Sequence, residues 1–133
     1  GGGEHEKSFA EGMERRHKGV VSVIGRMSMS QEMDLIGNLD AIVTMDSATM
    51  HIASLLGIPV VSVWGATHPF AGFYGYGQHP DNAVQADLPC RPCSVFGDRP
   101  CISGDYRCLS SIRPQEIADR VAKAVAAQKS DRR

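Results

Sequence analysis

The sequence lacks an excess of basic residues, and it lacks a long apolar run. Lysine and arginine total 14 against 15 aspartates and glutamates, so no overall positive field exists to attract nucleic-acid phosphates. The longest apolar stretch, residues 58–64, is interrupted by Pro59 and Ser62, and it is far shorter than the roughly 20 residues that span a bilayer. We therefore expect neither a nucleic-acid partner nor a transmembrane segment.

The N-terminus lacks a basic start followed by an apolar segment, so no secretory signal is expected and a cytoplasmic location is the default. The length of 133 residues predicts one domain over residues 1–133. Three glycines lead straight into the helical segment 4–16 without a strand before it. The chain is therefore expected to be part of something larger.

Short β-rich runs alternate with segments of helical period, which is typical of an α/β fold with a parallel sheet. Residues 20–24, 41–45 and 59–64 are almost all apolar, as expected for central strands covered on both faces. Residues 83–86 suggest a further strand. The sequence thus predicts a Rossmann-like parallel sheet with helices on both faces.

The helices are predicted from apolar residues that recur every three to four positions and from residues that commonly start or end a helix. Ser28 and Gln31 offer a capping box for one of them, and Gly57 with Pro59 forms a stop signal for the next. A Cys-rich loop of about residues 88–112 precedes the last helix, which Pro114 opens. The predicted helices cover residues 4–16, 28–39, 47–56 and about 114–128.

The strongest chemical signal is the segment 46–51, where an apolar strand ends and an amphipathic helix begins. Ligands of open parallel sheets bind at that edge. With Ser47 as the N-cap, free backbone N–H groups and the small Ala48 would admit a phosphate. His51, one turn on, and Asp46, at the strand tip, can bond phosphate or sugar hydroxyls. On spacing alone, a plain helix cap with a packing histidine is an equal alternative.

Two other strand-to-helix loops are candidates. Glu6 follows the glycine turn and can bind ribose hydroxyls, although an acid that complements the helix dipole is the commoner role there. Met27 and Ser28 lie in a loop that can line an adenine pocket. A plain connecting loop explains them equally well.

Four cysteines lie in one loop-like stretch, as Cys90, Cys93, Cys101 and Cys108. Their number and proximity permit a tetrahedral structural zinc site. Reduced thiols and local disulfides, of which four cysteines allow three pairings, are the alternatives, and cytoplasmic redox conditions disfavour the disulfides.

Seven motifs follow one another along the chain. They are Gly2-Gly3-Glu4-His5-Glu6, Met27-Ser28, residues 43–53, Leu56-Gly57-Ile58-Pro59, Trp64-Gly65-Ala66-Thr67-His68-Pro69, Cys90-Arg91-Pro92-Cys93 and Ile112-Arg113-Pro114-Gln115-Glu116. In this order they resemble the C-terminal domain of glycosyltransferase family 9, the heptosyltransferases that act on lipopolysaccharide. The resemblance covers nearly the whole chain.

The resemblance implies a GT-B architecture, in which this chain is the half that binds the nucleotide-sugar donor, usually ADP-heptose. The acceptor, lipopolysaccharide core or another glycan, would be bound by an N-terminal domain that the chain does not contain. That domain would supply the base for an inverting transfer, so this chain has no catalytic residue and is expected to be inactive alone. No metal is expected in the chemistry. The setting would be cytoplasmic, with peripheral contact at the inner face of the inner membrane.

The resemblance also assigns roles by position, with two departures from the family pattern. Ala48 stands where glycine is usual, and His68 stands in a loop that usually carries an acid. A zinc-stabilised Cys-rich binding module and a nucleotide-sugar 2-epimerase half are the alternative functions. The implied roles are ribose for Glu6, adenine for Met27 and Ser28, sugar hydroxyls for Asp46, and phosphates for Ser47, Ala48 and His51.

Overall fold

The computed structural model describes residues 3–131, so Gly1 and Gly2 of the first motif lie outside the described residues. The chain divides into two compact units, Gly1–Leu35 and Ile36–Arg133. The single domain expected from the length stays a prediction.

The first unit begins with helix α1, Glu4–Arg16, which has the bounds that the sequence predicts. The predicted strand at residues 20–24 is wrong, because that segment forms no strand and Val21 is 70% exposed. Its backbone bonds locally instead: the Ser22 N–H donates to Glu14 (3.4 Å), and the Val23 carbonyl accepts from the N–H of Arg26 (3.0 Å) in a turn. An apolar run becomes a strand only where a neighbouring strand takes up its hydrogen bonds.

Helix α2, Met29–Gly37, starts at the predicted capping box. The Ser28 N–H donates to Gln31 Oε1 (2.9 Å), and the Gln31 N–H donates to Ser28 Oγ (3.4 Å). Both bonds satisfy amides that have no partner inside the helix, which explains why the helix begins there.

The second unit is built on a parallel sheet of three strands in the order β1, β2, β3. These are β1, Ile42–Thr44, β2, Val60–Trp64, and β3, Ala83–Gln85. Ile42 pairs with Val60, and Ser62 pairs with Ala83. The three strands match the predicted runs in place, and their parallel arrangement confirms the predicted α/β class.

The two faces of the sheet are covered by different helices. On one face, Met50 and Ala53 of α3, Ala48–Leu55, pack with Val60 and Trp64 in a buried cluster. On the other, Ala124 of α5, Pro114–Asp131, packs with Val61 and Val84. Alternate residues of β2 thus face opposite helices, which explains why this strand is apolar almost throughout.

Shorter elements complete the second unit. Helix α3 ends at Leu55, and Gly57 follows with a φ of 71°, in the left-handed region that favours glycine. The remaining elements are the 3-10 turns Pro69–Ala71 and Pro80–Asn82 and the short helix α4, Arg107–Ser110. None of the helices in residues 3–131 is long and apolar enough to cross a membrane.

Candidate functional site

A cavity of about 370 Å³ opens at the carboxyl ends of β1 and β2, wholly within the second unit. Met45 and Asp46, which follow β1, line it together with residues 65–67, which follow β2. The opposite wall comes from the Cys-rich segment between Cys93 and Leu109. The edge of the sheet where ligands bind in open parallel folds thus carries a partly enclosed space.

The start of α3 leaves backbone amides unused. Ser47 occupies the N-cap with extended backbone angles, but its hydroxyl lies 2.9 Å from the Thr44 hydroxyl and caps no amide. The Met50 N–H donates to the Ser47 carbonyl (3.1 Å). Within residues 3–131, the N–H groups of Ala48 and Thr49 have no acceptor. This helix start can therefore receive an anion.

Asp46 and His51 flank that helix start. Asp46 is exposed at the end of β1, lines the cavity and takes part in none of the ion pairs among the described residues. His51 is exposed one turn into α3. His51 is therefore not part of the core, and its role toward a ligand stays a prediction. The carboxylate and the imidazole are both available to a ligand.

Glu6 lies in the first unit, at the start of α1. Its carboxylate accepts a hydrogen bond from the Gly3 N–H (2.9 Å), so one oxygen satisfies the helix terminus. Glu6 also lines a shallow cavity of about 480 Å³ with Phe9 and Ile24. The sequence suggested a ribose ligand or an acid that complements the helix dipole; the structure adds a capping contact through one oxygen, and the other oxygen remains available.

Met27 and Ser28 also lie in the first unit. The Ser28 hydroxyl is engaged with Gln31 at the start of α2, and Met27 is half-buried. The structure thus brings Asp46, Ser47, Ala48 and His51 together around one helix start in the second unit. Whether Glu6, Met27 and Ser28 join them stays a prediction.

Arg91 holds the Cys-rich loop against the strand ends, and sequence reasoning missed this role. Its guanidinium donates to the carbonyls of Gly65 (2.6 Å), Thr67 (3.0 Å) and Ala86, and to the side chain of Gln85 (3.2 Å). Partial burial lowers the pKa of Arg91, although an arginine stays charged at neutral pH. Its position between two cysteines gave no sign that it bonds carbonyls from distant segments.

The four cysteines are free thiols, and three of them, Cys93, Cys101 and Cys108, line the cavity. Among residues 3–131, no three histidine, cysteine, aspartate or glutamate side chains form a group that could hold a metal. The geometry therefore does not support the zinc site, which stays a prediction that metal analysis of the purified chain would test.

The cavity cysteines differ in acidity. Partial burial, followed by the neighbouring thiols of Cys90, Cys101 and Cys108, raises the pKa of Cys93. The hydrogen bond between Cys101 and the Ser103 side chain (3.5 Å), followed by one from the backbone N–H of Tyr106, lowers the pKa of Cys101. A lower pKa means a larger thiolate fraction at neutral pH, so Cys101 is expected to react faster than Cys93 with an alkylating reagent.

His68 does not line this cavity. Its Nδ1 accepts from the Phe70 N–H (3.1 Å) and caps the turn Pro69–Ala71. It faces a smaller cavity of about 190 Å³ together with Asp87 and Arg91. His68, which stands where the family pattern has an acid, therefore lies outside the cavity that Asp46 lines.

Curated relatives match parts of the chain. Lipopolysaccharide heptosyltransferase 1 of Pseudomonas aeruginosa is 33% identical over 73 residues, which is 54% of this chain and 20% of the relative. Lipooligosaccharide heptosyltransferase 2 of Haemophilus influenzae is 39% identical over 49 residues, or 37% of this chain and 14% of the relative. The enzyme of the same name from Campylobacter jejuni is 26% identical over 84 residues, which is 63% of this chain and 25% of the relative.

The chain therefore spans at most a quarter of the length of these relatives. No solved structure matches it. The family model described as glycosyltransferase family 9 (heptosyltransferase) matches residues 1–101, well over half of the sequence. With the parallel sheet and the motifs at its carboxyl edge, this match shows that the chain belongs to glycosyltransferase family 9.

Proposed function

We propose that this chain binds the nucleotide-sugar donor, of the ADP-heptose type, in a glycosyltransferase of lipopolysaccharide core or related glycan synthesis. The observation that carries the proposal is the cavity at the carboxyl end of β1, where Asp46 lies beside the open start of α3. A carboxylate that accepts from hydroxyls and a helix start that binds anions suit a sugar linked to a diphosphate.

The α3 terminus would bind the diphosphate. The amides of Ala48 and Thr49 carry the positive end of the helix dipole, and a helix start favours negative charge by about 0.3–1 kcal/mol at an exposed site. His51 can donate a further bond to a phosphate oxygen. When the acceptor hydroxyl attacks the anomeric carbon, the bond to the diphosphate breaks and negative charge grows on the leaving oxygen. The same groups would stabilise that charge.

Asp46 would orient the sugar. A carboxylate accepts bonds from two neighbouring hydroxyls, and hydrogen bonds to a charged group contribute about 1.5–3 kcal/mol each. We propose that Glu6 binds the ribose through the oxygen not used by Gly3, and that Met27 and Ser28 lie near the adenine. The base that deprotonates the acceptor would come from another part of the enzyme, so this chain alone would transfer no sugar.

The family assignment favours glycosyl transfer over the 2-epimerase alternative, since the matching family and relatives are heptosyltransferases. We place this activity in the cytoplasm, at the inner face of the inner membrane. The acceptor glycan would be bound outside this chain.

Calorimetric titration with ADP, UDP and GDP tests the proposal. We expect measurable binding with a preference for ADP, weakened about tenfold by His51→Ala, which equals about 1.4 kcal/mol. His17→Ala is the matched control, because His17 is also exposed but lies at the end of α1. Absence of binding to all three nucleotides would contradict the proposal, as would equal effects of the two substitutions.

A further inference from the structure

We propose that Arg99, in the Cys-rich loop, binds the diphosphate of the ligand whose sugar Asp46 holds. This inference rests on the proposed function and goes beyond it, because it assigns a binding role to a loop that is neither a strand end nor a helix start. It makes residues 93–109 the second wall of the donor site.

The first observation is that an acidic and a basic residue line one cavity without forming an ion pair with each other. Asp46 and Arg99 both line the space at the carboxyl ends of β1 and β2. The ion pairs of residues 3–131 include neither of them. In a cavity closed on two sides, opposite charges that stay apart leave room for a ligand with hydroxyls at one end and an anion at the other. A sugar diphosphate has that form.

The second observation is a contrast between two arginines of the same loop. Arg91 directs its guanidinium at backbone carbonyls and so serves the fold. Arg99 has no hydrogen-bond acceptor within the described part of the chain. A free guanidinium presents five N–H donors in a planar fork that matches two phosphate oxygens at once.

The third observation is that the loop is fixed to the sheet. The Cys93 N–H donates to the Ala66 carbonyl (2.9 Å), and Arg91 bonds the carbonyls on either side of it. The segment that carries Arg99 therefore begins at an anchored point. A cavity of about 370 Å³ lies at the small end of the range for ligand sites. Asp46 lines it but Ser47, Ala48 and His51 do not, so it suits the sugar and the part of the diphosphate nearest Arg99, with the rest of the ligand outside.

The test uses the 133-residue chain with inorganic pyrophosphate, ADP and adenosine, measured by calorimetry at low salt. Arg99→Ala should weaken binding of pyrophosphate and ADP about tenfold or more, and it should not change the weak binding of adenosine. Arg99→Lys should restore part of the loss because it keeps the charge, whereas Arg99→Gln should not. Arg113→Ala removes another exposed arginine, outside the cavity, and should have no effect.

Alkylation locates the ligand independently. Cys101 lines the same cavity as Arg99, whereas Cys90 is exposed and does not line it. ADP should slow the reaction of iodoacetamide with Cys101 but not with Cys90, and Arg99→Ala should remove that protection at the same ADP concentration. Unchanged thermal unfolding of Arg99→Ala would exclude misfolding as the reason. If Arg99→Ala unfolds at a lower temperature than the wild-type chain, the role of Arg99 is judged by comparing ligand binding of Arg99→Lys and Arg99→Gln.

Other results would overturn the inference in distinguishable ways. If the wild-type chain binds ADP and Arg99→Ala binds it equally well, the role of Arg99 is wrong and the proposed function stands. ADP binding without protection of Cys101 would place the diphosphate outside this cavity. That result would contradict the role of Arg99 but not the proposed function. If the wild-type chain binds neither ADP nor pyrophosphate, both proposals fail.

Discussion

The two walls of the cavity are held in different ways. The strand wall, which carries Asp46, continues from β1 and β2 and is fixed by the sheet and by the buried core on both of its faces. The loop wall contains little regular structure. Its hydrogen bonds to the strand ends come from the Arg91 side chain and the Cys93 N–H, and the Phe96 ring lies near that of Phe73 (5.9 Å between centroids).

This difference has consequences for stability. Damage to the strand wall removes buried apolar contacts and should unfold the whole second unit, because both buried clusters share the same sheet and small units unfold cooperatively. Damage to the loop wall should loosen it locally while the sheet remains folded.

The largest effect is expected in the strand wall, from Trp64→Ala. Trp64 is fully buried, contacts Tyr74 and donates from Nε1 to Ser62 (2.8 Å). Its truncation should lower the free energy of unfolding by about 3–5 kcal/mol, measured by urea denaturation. Phe70→Ala is the control, since Phe70 is 93% exposed and should change stability by less than about 0.5 kcal/mol. Similar losses for both would contradict the assignment of the core.

Arg91→Ala should have the next largest effect, confined to the loop wall. Unpaired carbonyls of Gly65, Thr67 and Ala86 would cost about 1–3 kcal/mol, and amide hydrogen exchange should accelerate in residues 93–104 more than in β2. Arg91→Lys should rescue little, because an ammonium cannot reach several carbonyls in one plane. If Arg91→Lys restored the full stability, or if Arg91→Ala accelerated hydrogen exchange throughout the sheet, the claim that the two walls are held independently would be contradicted.

A smaller effect tests the open start of α3. The Ser47 hydroxyl bonds Thr44 rather than an amide, so Ser47→Ala and Thr44→Val should remove the same hydrogen bond. Their effects on unfolding free energy should be non-additive, with a coupling of about 0.5–1.5 kcal/mol in a double-mutant cycle. Additive losses would indicate that Ser47 caps the helix after all and that its amides are not available to an anion.

The smallest expected effect is a difference in rate between two cysteines of the loop wall. Because the pKa of Cys101 is lowered and that of Cys93 is raised, iodoacetamide should modify Cys101 severalfold faster at pH 7. The difference should shrink as the pH rises above both pKa values, since both thiols are then ionised. Mass spectrometry of each peptide over a pH series gives the two midpoints. A lower midpoint for Cys93 would contradict the hydrogen bonding described around Cys101.

The features that the sequence predicted well are those with local causes. The bounds of α1, the capping box of Ser28 and the glycine after α3 depend on residues within one helical turn, and the structure confirms them. The helix that starts after Ser47 and the strand that ends before Asp46 were also predictable, because an apolar run followed by an amphipathic period marks such an edge.

Features with distant causes were missed. Residues 20–24 are apolar enough for a strand, but a strand needs a partner that composition cannot reveal. Arg91 bonds carbonyls that lie 5 to 26 positions away in the chain, and no pattern separates it from Arg99. Helix α4 has only four residues, too few for a periodic signal. The sequence therefore did not predict that the Cys-rich loop forms a wall of the cavity.

The most direct test of the donor site compares ADP-heptose with ADP in calorimetric titrations of the wild-type chain and Asp46→Asn. We predict that the substitution weakens ADP-heptose binding about tenfold or more, about 1.4 kcal/mol, while ADP binding changes less than about threefold. Asp119→Asn, an exposed carboxylate on α5, should change neither. Equal losses for both ligands, or unchanged binding of ADP-heptose to Asp46→Asn, would contradict the assignment of Asp46 to the sugar.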